Sequence, residues 1–110
     1  MLITKKENYS LIKPLQNSVK EFLNEFKKVD SEISNEHLII DFSEYFNTKV
    51  EEFLLFLALS KDYKKKGTSF VIVSRNVETS ELPEAIVVVP TINEALDILE
   101  MDAIERDLGF

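Results

Sequence analysis

Three apolar runs constrain this chain most: Leu38-Ile39-Ile40-Asp41-Phe42, Ser69-Phe70-Val71-Ile72-Val73 and Ala85-Ile86-Val87-Val88-Val89. A strand with one wet face alternates apolar and polar residues. These runs do not alternate, so each predicts a strand covered on both faces, as in a parallel sheet. About a dozen residues or more separate successive runs, the length that a crossover between parallel neighbours needs.

The intervening segments carry helix signals. Ser18-Val19-Lys20-Glu21 fits a capping box, in which Ser18 and Glu21 each satisfy a free backbone N–H. Val19, Phe22, Leu23 and Phe26 then fall on one helical face. Thr48-Lys49-Val50-Glu51 is a second box, opening a helix that runs to about Lys65. Gly67 is its stop, and Lys64-Lys65-Lys66 suit the negative end of the helix dipole. Thr91-Ile92-Asn93-Glu94 is a third box, opening a helix whose core face is Ala95, Leu96, Leu99 and Ala103. At the start of the chain, Leu2-Ile3-Thr4 and Tyr9-Ser10-Leu11-Ile12 read as a hairpin around the polar turn Lys5–Asn8, ended by Pro14. The order is β-β-α-β-α-β-loop-β-α. It predicts one α/β domain over residues 1–110, with a mixed, mostly parallel sheet of four or five strands and about three main helices.

Composition narrows the function. The chain has no cysteine and His37 as its one histidine, which excludes disulfides, thiol catalysis and multi-histidine metal sites. Thirteen basic against twenty acidic residues leave a net charge of −7, the wrong sign for a nucleic-acid or anionic-membrane partner. The two glycines, Gly67 and Gly109, cannot form a phosphate-binding loop. The Met1–Lys6 start lacks the apolar core of a signal peptide, and the longest apolar run, Phe53–Leu59, is far short of a membrane span. The expectation is a cytoplasmic domain with no cofactor.

The pieces together resemble the STAS domain, found in sulfate-transporter cytoplasmic regions and in bacterial anti-sigma-factor antagonists. Leu38–Ser43 is similar to the family's apolar strand ending in Asp-apolar-Ser. The long apolar helix from Thr48, the stretch Gly67–Ser74, and Val89-Pro90-Thr91-Ile92-Asn93-Glu94-Ala95-Leu96 follow in the family's order. The resemblance implies a non-catalytic, regulatory protein–protein interaction domain. It also departs from the family: where members carry an Asp-Ser-Ser-Gly type motif with a phosphorylated serine, this chain has Phe46-Asn47-Thr48-Lys49-Val50-Glu51-Glu52. Thr48 is the one hydroxyl there. It is either a phosphoacceptor at a helix N-terminus or a plain N-cap, and the capping box accounts for it completely.

The second helix raises a sharper question. At about 100° per residue, Val50, Phe53, Leu54, Leu57 and Ala58 form one face. Phe56, Leu59 and Tyr63 form a second stripe largely off it. With Tyr45 and Phe46 in the preceding loop, that stripe is the expected contact surface for a protein partner or a second copy, unless neighbouring helices cover it. The alternative is a small-ligand module, for a nucleotide or lipid, using the cleft at the strand ends near Asp41 and Ser74. Asp41 is otherwise a loop-capping carboxylate, and His37 a strand-entry residue. The tail Glu105–Phe110 either docks a partner or folds back, extending Met101 and Ile104.

Overall fold

The computed structural model describes residues 1–33, 35–44, 48–75 and 78–109. Along the chain these form β1 (Leu2–Lys5), β2 (Ser10–Lys13), α1 (Val19–Ile33), β3 (Leu38–Asp41) and α2 (Val50–Phe53). A 3-10 turn at Leu54–Phe56 leads into α3 (Leu57–Lys66) and β4 (Phe70–Val73). A second 3-10 turn at Thr79–Glu81 precedes β5 (Val87–Val89) and α4 (Ile92–Asp107). The five strands form one sheet in the order β1-β2-β3-β4-β5. The β1–β2 pair is antiparallel and the other pairs are parallel. This is the mixed, mostly parallel α/β sheet expected from the three apolar runs.

Strand register sorts the apolar residues onto two faces, because successive side chains point to opposite sides. Ile12, Ile40 and Ile72 share one face with Leu38, Phe70 and Val88. Ile39, Val71 and Val87 share the other with Leu11 and Val73. Right-handed crossovers between sequential parallel strands put their helices on the same side. α1, α2 and α3 accordingly lie with the first face, joined by Leu82 and Ile86 from the β4–β5 connection. Of the described helices only α4 lies on the second face, where Ala95 is fully buried and Ile92, Leu96 and Leu99 are half-buried.

The helix ends follow their residues. Ser18 Oγ accepts from the Glu21 N–H at 3.2 Å, and the Glu21 carboxylate accepts from the Asn17 N–H at 3.2 Å. Thr91 Oγ1 accepts from the Glu94 N–H at 3.1 Å. Gly67 ends α3 in the left-handed region, φ 82°, as a helix-stopping glycine does. The box expected at Thr48 moves by one residue: Lys49 is the N-cap, and the Glu52 carboxylate accepts from its N–H at 3.1 Å. Thr48 precedes the cap and does not occupy it.

The second helix departs most from expectation. Uniform α-helical geometry leaves Phe53 and Phe56 about 60° apart, and the 3-10 turn, which advances about 120° per residue, brings positions i and i+3 into line. Phe53 and Phe56 therefore point the same way, into the core. In α3 the buried positions continue as Ser60 and Tyr63, while Leu57 and Leu59 pack at the core's edge. Leu54, Leu55 and Ala58 are left in solvent.

Candidate functional site

The expected contact stripe is a core stripe. Phe56 is 0% exposed and Tyr63 1% exposed, and Leu59 is half-buried against the same cluster. Phe56 sits among Phe22, Phe42, Phe53 and Phe70, with ring centroids 5.9 to 6.5 Å away. The Tyr63 ring lies 5.0 Å from Phe70, and its hydroxyl donates to the Asp30 carboxylate of α1 at 2.5 Å. None of the three presents a side chain that a partner can seize on the folded chain. The sheet and α1 cover the stripe because the 3-10 turn rotates it inward. Tyr45 and Phe46 lie outside the described residues.

Large apolar side chains are exposed elsewhere. Leu54 is 40% and Leu55 47% exposed at the 3-10 turn, while Met101 is 56%, Ile104 56% and Leu108 64% exposed along α4. The helix continues to Asp107, so the tail does not fold back over the sheet as far as Gly109. Ala103, expected on the core face, is also exposed.

Asp41 and Ser74 stand at the carboxyl ends of β3 and β4. Asp41 Oδ1 accepts from the Ser43 N–H at 2.9 Å, the loop-capping role. Ser74 is buried, and its N–H donates to the Val89 carbonyl at 2.9 Å. Beside them is an open cleft of about 600 Å³, lined by Ser43, Val73, Arg75 and the Pro90–Asn93 segment that opens α4. Neither Asp41 nor Ser74 lines it; their neighbours do. This is the end of a parallel sheet where ligands usually bind.

At the other end of the sheet, the fold assembles a polar cluster that spacing cannot show. The Ser69 N–H donates to His37 Nδ1 at 2.9 Å, and Ser69 Oγ donates to Asp102 of α4 at 2.7 Å. A backbone N–H only donates, so His37 Nδ1 carries no proton in this bond. Burial pushes the His37 pKa below its ordinary 6.5, nearby Arg106 adds to this, and Asp102 opposes it. A cavity of about 310 Å³ adjoins the cluster, lined in part by Lys64, Asp102, Glu105 and Arg106. Ser60 Oγ, on the same cavity's wall, has no hydrogen-bond partner among the described residues.

His37 gives a pH prediction. Its native pKa is lowered, so between that value and 6.5 the unfolded chain holds a proton that the native chain does not. This contribution to stability is complete above pH 6.5 and is lost as pH falls through the native pKa. His37→Asn keeps an acceptor near Nδ1 and cannot titrate. Urea midpoints of both proteins, taken from about pH 7.5 down to about pH 5, should converge as His37 charges. A constant gap would show that His37 does not titrate in a stability-linked way.

Among the described residues no group of His, Asp and Glu side chains is arranged to hold a metal ion. None of their helices is long and apolar enough to cross a membrane. No family model matches the chain, and no curated protein matches it significantly.

Proposed function

We propose that this chain is a non-catalytic, regulatory protein-interaction domain of the STAS-like kind, acting in the cytoplasm without the family's serine switch. The observation that carries this reading is the row of large apolar side chains, Met101, Ile104 and Leu108, left in water along one side of α4. Scattered single apolar residues on a surface need no explanation, but a contiguous row on one helix is a feature of interaction sites. Leu54 and Leu55 form a smaller patch on the other side of the molecule.

The polar groups support the same reading. The side chains that the fold brings together bond to each other and to the backbone: Tyr63 to Asp30, Ser69 to Asp102, His37 to the Ser69 N–H. These are bonds that hold elements in place, with α1 tied to α3 and β4 tied to α4. Ser69 and Asp102 border a cavity, but the His37 nitrogen that faces Ser69 accepts its backbone N–H and not its hydroxyl, so no imidazole base is set against a nucleophile there.

One observation favours a second reading, a small-ligand module. The cleft at the carboxyl ends of β3, β4 and β5 combines the Arg75 guanidinium, the Ser43 and Thr91 region and the start of a long helix. That set suits a small anionic molecule.

Native mass spectrometry of the protein isolated from cells that express it separates the two. A stoichiometric protein partner is the expected result. A retained small molecule and no protein would replace the interaction reading with the ligand-binding one.

A further inference from the structure

We infer that the outward face of α4 seats a basic amphipathic helix of a partner protein, its apolar stripe laid on Met101, Ile104 and Leu108. This rests on the interaction reading above and names the partner's chemistry.

α4 carries two apolar stripes. Ile92, Ala95, Leu96 and Leu99 face the sheet. Met101, Ile104 and Leu108 follow the i, i+3, i+7 spacing on the far side, where an ordinary surface helix is polar. That spacing is the anchor pattern of one helix docked on another. A convex ridge of this kind packs into the groove of a facing helix, and methionine adapts to the shape it meets.

Charge selects the occupant. Asp97, Glu100 and Glu105 stand within one turn of Met101 or Ile104, and all three are exposed. The ion pairs of the described residues are Lys5–Glu36, Lys13–Glu44 and Lys28–Glu25, so none of the three acids is neutralised. Arg106 is the single basic residue of α4, exposed on the side of the helix that meets the end of α3. Its Cδ lies 4.0 Å from where a Cβ on Gly67 would stand. The ridge is therefore apolar with an uncompensated acidic border. A second copy would set the same carboxylates against each other in a chain of net charge −7. An anionic lipid surface meets the same repulsion. A helix with lysines or arginines flanking its apolar stripe is complementary on both counts.

The test uses the full chain, labelled with ¹⁵N, and two synthetic helical peptides. Both peptides carry leucines at i, i+3 and i+7; one has lysine flanks and the other glutamate flanks. Binding of the lysine peptide should shift amide resonances over residues 97–108. The glutamate peptide should bind about tenfold or more weakly. Met101→Ser with Ile104→Ser and Leu108→Ser should weaken the lysine peptide about tenfold or more, with an unchanged circular dichroism spectrum. Raising salt from about 0.05 to about 0.5 M should weaken it further.

Equal affinity for the two peptides would overturn the inference. So would shifts confined to Leu54 and Leu55, although the interaction reading would then stand on another surface. A dimer in analytical ultracentrifugation that the triple variant abolishes would make the occupant a second copy. Binding to vesicles of anionic phospholipid through the same residues would make it a membrane. Native mass spectrometry showing a small molecule and no protein is the separate result that removes the interaction reading itself.

Discussion

Replacing Phe56 with alanine is expected to lower the free energy of unfolding by about 3–5 kcal/mol. The ring is 0% exposed and is enclosed by four other phenylalanines. Its removal forfeits the transfer free energy of the ring and leaves a cavity between α1, the 3-10 turn and the sheet. Neighbours cannot close that space easily, because Phe22, Phe42 and Phe70 are each fixed by further ring contacts. A stable domain of this size holds only about 5–15 kcal/mol, so the loss is a large part of the total. Urea denaturation should show a lower midpoint with an unchanged slope. Phe56→Glu should abolish cooperative unfolding, since a carboxylate there has no partner and no water. A loss well below 1 kcal/mol for the alanine variant would mean that Phe56 is not enclosed and would return the second helix to the list of contact surfaces.

Tyr63→Phe should cost about 1.5–3 kcal/mol, the range for a hydrogen bond to a charged group. The ring would stay in place against Phe70, so packing changes little. What is lost is the 2.5 Å bond to Asp30, which ties the last turns of α1 to α3. The same pair sets an alkaline limit. Burial, chiefly, and the Asp30 carboxylate hold the Tyr63 hydroxyl well above its ordinary pKa of 10.0. The native chain then keeps a proton that the unfolded chain gives up. Stability from this group is complete below pH 10.0 and falls as pH rises above it. Denaturation of the wild type should therefore steepen in alkali, and Tyr63→Phe should lose that component. Parallel pH curves for the two proteins would contradict the assignment.

What was legible in the residues and what was not divides along physical lines. Both-face burial of Leu38–Ile40 and Phe70–Val73 could be read directly, because a run without alternation has no wet face. The stop at Gly67 and the cap at Thr91 are local events decided by neighbouring residues. The strand expected from Ala85 begins at Val87, because Ile86 donates its N–H to the Pro83 carbonyl in a turn. The facing of Phe56, Leu59 and Tyr63 depended on the twist of one short turn. No residue in Leu54-Leu55-Phe56 announces 3-10 geometry, and a shift of about 20° per residue over three residues moves the stripe from the surface to the core. The tertiary pairs were out of reach altogether. Tyr63 with Asp30, and Ser69 with His37 and Asp102, lie more than thirty residues apart. The outward stripe of α4 is not legible in the sequence, where Met101 and Ile104 read as the residues that a folded-back tail would extend over the sheet. Whether they cover the sheet or leave it depends on how α4 is seated, and Ala95 and Leu99 decide that.

The most direct measurement is a quantitative comparison of partner capture from the native cell extract. The wild type is set against the variant Met101→Ser, Ile104→Ser, Leu108→Ser. All three side chains are more than half exposed, so the variant should unfold within about 0.5 kcal/mol per site of the wild type. The expected result is one stoichiometric protein on the wild type, rich in basic amphipathic helix, and its loss from the variant at equal stability. Equal capture by both proteins would contradict α4 as the interface, and no protein on either would contradict the interaction function itself.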